Sequence, residues 1–89
     1  MTVTIGEYVF DHIHYDSDAD VLYLSMGEPR PGTGEETPEG HILRFDKDGK
    51  FMGITLLGAR ELVEAGPVRM TVPSAQFVEP DDLVPALAS

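Results

Sequence analysis

His41 to Gly58 reads HILRFDKDGKFMGITLLG, two alternating apolar runs on either side of an Asp-Gly pair. Leu43 and Phe45 flank Arg44, while Met52, Ile54 and Leu56 alternate with Gly53 and Thr55. A period of two is the pattern of a strand with one buried face. Asp48-Gly49 supplies the turn, because glycine takes positive φ without a side-chain clash. Register follows from the faces. Pairing Phe45 with Met52 sets Leu43 beside Ile54 and keeps all five apolar groups together, whereas a slip of one residue would place Arg44 among them. The expectation is a two- or four-residue connection rather than a three-residue bulged turn, although FDKDGK suits the bulged turn locally.

Working toward the N-terminus, Tyr15 to Gly27 reads YDSDADVLYLSMG. Asp16 to Ala19 reads as a turn, since short Asp and Ser side chains bond to nearby backbone. Asp20 to Met26 is then a strand with Leu22, Leu24 and Met26 on one face and Val21, Tyr23 and Ser25 on the other. Apolar groups on both faces predict a central strand covered on both sides. Tyr8 to Tyr15 reads as one more strand, and TVTI at Thr2 to Ile5 either extends it or stays loose. Residues 27–40, with four glycines, three prolines and four glutamates, carry no apolar period and read as a long surface loop.

Beyond the hairpin, ARELVEA at Ala59 to Ala65 reads as a short helix with Ala59, Leu62 and Val63 on one face, ended by Gly66 and Pro67. VRMTV at Val68 to Val72 is a strand. Residues 73–89 read as an irregular tail holding one helical turn: Pro80 sits early, Asp81 and Asp82 lie near the positive end, and Pro85 stops it. These elements predict an α+β fold in one domain, residues 1–89. It comprises a small, mostly antiparallel sheet of four to five strands, one short helix packed on it and a short C-terminal helical turn.

Charge and composition exclude several functions. Sixteen acids against six bases give a net charge of −10, with no cysteine. A surface of that sign repels polyphosphate backbones and anionic lipid, so neither nucleic acid nor membrane is expected as a partner. Without cysteine there is no disulfide or thiolate metal site. No secretory leader and no apolar run of membrane-spanning length is expected, and a cytoplasmic protein is.

Candidate chemistry is sparse. Asp16, Asp18 and Asp20 fill positions 1, 3 and 5 of a calcium loop, but Val21 stands where glycine is needed and Gly27 where the bidentate glutamate belongs. DKDGK at Asp46 to Lys50 fails at its own position 12, Leu57. His12 and His14, two apart on one strand, share a face and could hold a transition metal with His41, yet no ligand motif supports that; the plainer reading is partly exposed sheet residues beside acids. No serine sits in a nucleophile elbow and no phosphate-binding loop occurs. No catalytic residue and no cofactor are expected.

The segments YDSDADVLYLSM and GHILRFDKDGKFMGITLLGA resemble the two core motifs of a small prokaryotic family, domain of unknown function 2283. The matching positions are Tyr15, Asp16, Asp20, Leu22, Tyr23, Asp46, Asp48, Gly49, Gly53 and Ile54, within a family-like core of about residues 15–63. Thr55 stands where the family is often acidic. The resemblance implies a small α+β sheet domain and carries no activity or catalytic residues with it. Asp16 and Asp20 would bracket the turn, or would form a carboxylate cluster if Asp46 or Asp48 came near.

One apolar face, Leu22, Leu24, Leu43, Phe45, Met52, Ile54 and Leu56, can be covered by the helix. A second face, with Val21, Tyr23 and Phe51 and with Phe10 or Val9 and Ile13 beside them, then needs a partner. The reading is a non-enzymatic interaction module, a homodimer or a subunit of another protein. The alternatives are a small metal-binding protein or enzyme using the histidines and acids, and an acidic, antitoxin-like regulator of a basic protein.

Overall fold

The computed structural model describes residues 1–72 and 75–88. Nine strands appear among them: β1 Val3–Ile5, β2 Tyr8–Phe10, β3 His12–Asp16, β4 Val21–Ser25, β5 Gly32–Glu36, β6 Ile42–Asp46, β7 Phe51–Leu57, β8 Val68–Thr71 and β9 Ala75–Val78. Two short helices, α1 Ala59–Glu64 and α2 Pro80–Leu83, and a 3-10 turn, Val84–Ala88, complete the chain. β3 to β7 form a five-stranded antiparallel sheet in the order β3-β4-β7-β6-β5, and β1-β2 and β8-β9 are separate two-stranded hairpins. This is the expected α+β architecture.

The expected first strand divides in two. Asp11 is the break: its carboxylate turns to accept the Gly27 N–H at 2.8 Å and faces His12 Nδ1 at 3.0 Å. Tyr8 to Phe10 therefore pairs back onto Val3 to Ile5, while His12 to Asp16 pairs with β4. The N-terminal segment is thus neither loose nor an extension but one arm of a hairpin, turning at Gly6 with φ +62°.

The β6–β7 connection corrects the expected register. Phe45 lies opposite Phe51, not Met52, and a β-bulge follows, so that Arg44 faces Gly53 and Leu43 faces Ile54. The cause is the turn. Asp46 Oδ1 accepts the N–H groups of Asp48 and Lys50 at 2.9 and 3.0 Å, and Gly49 takes φ +81°. The Asp46 N–H donates to the Lys50 carbonyl at 2.8 Å, so residues 47–49 make a three-residue connection, and the bulge restores the Leu43–Ile54 pair. Met52, the extra residue, then lies outside the main core cluster. Phe51 turns inward instead, its ring centroid 5.0 Å from Tyr8 and 6.1 Å from Phe10.

The segment read as a surface loop contains β5, and the tail read as irregular contains β9. β5 has no alternation because every side chain is exposed. Its glycines admit close backbone approach: a Cβ on Gly32 would lie 1.9 Å from the Phe45 carbonyl oxygen.

The core lies on one side of the sheet. Leu22, Leu24, Leu43, Ile54 and Leu56 form its floor. Val3, Ile5 and Phe10 from the N-terminal hairpin, Val68, Met70, Val72 and Val78 from the second hairpin, and Leu83, Ala86 and Leu87 from the C-terminal turns complete it. Leu62 and Val63 of α1 pack against it as expected. Segments at both ends of the chain thus share a task that the sequence reading gave to one helix.

Candidate functional site

Two constellations gather the residues singled out by sequence. The first is a clip around Asp20, at the end of the β3–β4 turn. Asp16 Oδ1 caps that turn by accepting the N–H groups of Asp18 and Ala19. Asp20 itself takes left-handed backbone, φ +55°, a conformation Asp tolerates better than most residues. Its Oδ1 accepts the buried Tyr15 hydroxyl at 2.7 Å and the Arg60 backbone N–H at 2.8 Å. Its carbonyl accepts the N–H groups of Gly58 and Ala59 at 2.9 and 3.2 Å. Helix α1 begins at Gly58 with no side-chain cap of its own, so Asp20 caps it from a distant turn. The Arg60 N–H first, then the Tyr15 hydroxyl, hold the Asp20 carboxyl below its ordinary value, and the same bond pushes the Tyr15 phenol up.

Asp20 and Asp46 do not meet. β4 and β7 are antiparallel, so the β3–β4 turn lies beside the Leu57 end of β7 and Asp46 beside the Phe51 end, some 20 Å away. Asp46 is occupied by its own turn and by Arg30 Nη2 at 3.4 Å. Its carboxyl is held low, chiefly by the Lys50 N–H. Asp48 lies exposed at the turn.

The second constellation is the sheet face opposite the core. His12 and His14 of β3, Ser25 and Tyr23 of β4, Gly53 and Thr55 of β7 and Arg44 of β6 line a groove of about 830 Å³. Gly53 is required in its floor, because a Cβ there would lie 2.4 Å from the Leu24 carbonyl oxygen. Met52, Pro29 and Arg30 close one end. The His14 ring stacks on Tyr23, centroids 5.9 Å apart and planes 22° apart. Tyr23 is 44% exposed and Leu57 45%. Of the interface residues named from sequence, Val21 and Tyr23 belong to this face and Phe51 does not.

The three histidines are not brought together. His12 and His14 stand on the edge strand β3, whereas His41 precedes β6, three strand positions away. Among the described residues, no three His, Cys, Asp or Glu side chains group so as to hold a metal ion. His41 is 2% exposed, and neither ring nitrogen meets a hydrogen-bond partner among them. Its backbone N–H donates to Thr37 Oγ1, which fixes the Thr37–His41 turn. Nearby, Glu39 accepts the Thr71 hydroxyl at 3.0 Å and faces Arg69 Nε at 3.8 Å, tying this turn to β8.

Sequence reasoning missed the link from Asp20 to the helix. A signal existed: a helix starting after Gly58 without Ser, Thr, Asp or Asn at its cap calls for an acceptor from elsewhere. It also missed the groove, whose floor becomes visible only when β4, β7 and β6 are set side by side.

A family model described as a protein of unknown function, DUF2283, matches residues 12–60. That span holds the Asp20 clip and nearly all of the groove. Searches of curated proteins and of solved structures returned no match. Among the described residues, no helix is long and apolar enough to cross a membrane.

Proposed function

The chain belongs to the DUF2283 family of proteins of unknown function, and from its one-sided sheet we propose a non-enzymatic protein-interaction module that pairs with a second copy of itself. The observation that carries this reading is the contrast between the two faces of the five-stranded sheet. One is covered by α1, both hairpins and the C-terminal turns, while the other presents Tyr23 and Leu57 to solvent. Tyr23 and Leu57, with Val21 beside them, form an apolar patch on an otherwise polar face, and exposed apolar patches are where protein surfaces meet. The polar groups of the Asp20 clip are engaged with one another, which suits a structural role. In this reading the chain acts as a single cytoplasmic domain, without nucleic acid or metal.

Light scattering across micromolar concentrations tests it. The expected mass is about twice the 9.7 kDa of one chain. Tyr23→Asp should return the monomer with its circular dichroism unchanged, because it sets a charge in the contact. A monomer at every concentration would refute the reading. The net charge of −10 supports a second one, an acidic partner of a basic protein. Recovery of a basic protein in stoichiometric amount from native extract, lost in high salt, would favour it.

A further inference from the structure

The strand registers sort the open face into three rows across the sheet. Asp16, Val21 and Leu57 form the first. His14, Tyr23, Thr55, Ile42 and Glu36 form the second. His12, Ser25, Gly53, Arg44 and Gly34 form the third. Consecutive rows are two residues apart along each strand, ~7 Å. At the centre of the sheet the first row is a ridge of two branched aliphatic side chains, Val21 and Leu57. The third row at the same two strands is a trough, Ser25 and side-chainless Gly53.

We propose that two copies pack face to face about a two-fold axis that crosses the strands along the Tyr23–Thr55 row. This inference rests on the homodimer reading above and names its geometry. An axis along that row exchanges the first and third rows between copies. The Val21–Leu57 ridge of each copy enters the Ser25–Gly53 trough of the other, Val21 over the partner's Ser25 and Leu57 over the partner's Gly53. The alternative axis, parallel to the strands, sets ridge on ridge and trough on trough. It leaves both grooves unfilled, and unfilled space forfeits the dispersion contacts that close packing supplies. The same axis sets Glu36, which pairs with Ile42 at the end of the second row, beside the partner's Glu36, so added salt should tighten the dimer. Aligned packing of two twisted sheets is a common arrangement. Five strands ~4.8 Å apart and three rows ~7 Å apart cover roughly 500 Å² per copy. The total of about 1,000 Å² is at the low end for a specific interface, so the dimer should depend on concentration.

The chain has no cysteine, so single-cysteine variants report contacts cleanly. Facing sheets lie ~10 Å apart, too far for a direct disulfide, so a short thiol-to-thiol crosslinker is used. Val21→Cys and Ser25→Cys proteins are crosslinked separately and as a mixture, with Val9→Cys as an exposed control on β2. Within one variant the two thiols lie ~14 Å apart laterally, whereas in the mixed pair they face each other. The mixture should form crosslinked dimer at least tenfold faster than either variant alone. Equal rates in each variant alone, with no gain on mixing, would establish the parallel axis and overturn the proposal. Rates no higher than Val9→Cys would overturn it as well, while a doubled mass by light scattering would leave the homodimer reading standing. A monomeric mass would remove both.

Discussion

Replacing Asp20 by alanine removes a carboxylate that joins the β3–β4 turn, the Tyr15 side chain and the first turn of α1. Loss of a helix-capping acceptor costs about 1 kcal/mol. The Tyr15 hydroxyl, on a side chain only 7% exposed, loses its acceptor, which adds about 1–2 kcal/mol. Alanine also resists left-handed backbone more than aspartate does, by several tenths of a kcal/mol or more. The sum is about 3 kcal/mol, or a fall of roughly 12–24 °C in melting temperature for a domain of this size. Asp20→Asn keeps an acceptor oxygen and tolerates the backbone, so it should cost only about 1 kcal/mol. Urea denaturation followed by far-ultraviolet circular dichroism measures both. In a Tyr15→Phe background the penalty of Asp20→Ala should shrink by about 1 kcal/mol, because no hydroxyl is left to orphan. The sign of the pH dependence is also fixed. A carboxyl held low in the folded state contributes its stability fully above its unfolded value, ~3.9, and loses it as pH falls below that. The difference between parent and Asp20→Ala should therefore narrow under acid. An Asp20→Ala protein melting within ~2 °C of the parent, or costs that simply add with Tyr15→Phe, would refute the clip.

Burial holds the His41 imidazole below its ordinary value, with Glu39 pulling weakly the other way. The unfolded chain then binds the proton first, so stability is complete above pH ~6.5 and falls as pH drops through it; His41→Leu should flatten that slope in urea midpoints between pH 7.5 and 5.5. Gly53→Ala should cost about 2 kcal/mol or more, since its Cβ would meet backbone on β4; Gly40→Ala is the control for the positive-φ glycines whose surroundings are open. Millimolar calcium should leave the thermal midpoint unchanged, because the Asp16 and Asp46 carboxylates already serve their own turns; a rise of several degrees would identify a site.

The sheet was legible wherever one face is apolar and the other polar. β4 and the β6–β7 hairpin declare themselves by alternation, and burial of Leu43 and Ile54 fixes their pairing. The same reasoning misplaced Met52 because face arguments assume an unbroken ladder, whereas Asp46 and Gly49 impose a turn that only a bulge can reconcile. β5 gave no sign because a glycine-rich edge strand is held by backbone bonds, which leave no trace in side-chain pattern. Asp11 ended a strand that composition alone would continue, by bonding to Gly27, sixteen residues away. The acids of the opening turn were recognised as local caps, but the reach of Asp20 to residues 58–60 is a long-range contact that no local period encodes. The groove was less legible still, since it is made by what Gly53 and Ser25 lack.

The glycine-rich edge has a further consequence. A free strand edge is a template on which another chain can add, and indefinite addition ends in fibrils. Here the exposed edge is a five-residue strand flanked by Pro31 and Pro38, and it carries adjacent carboxylates at Glu35 and Glu36. Proline cannot donate to a growing ladder, and like charges stacked at every new strand repel. At the opposite edge the 3-10 turn packs against β3. Sideways growth at the β5 border is thus opposed by charge and by proline. The pairing proposed above uses the flat of the sheet instead, where a two-fold contact would close after a single partner and leave no template for further addition.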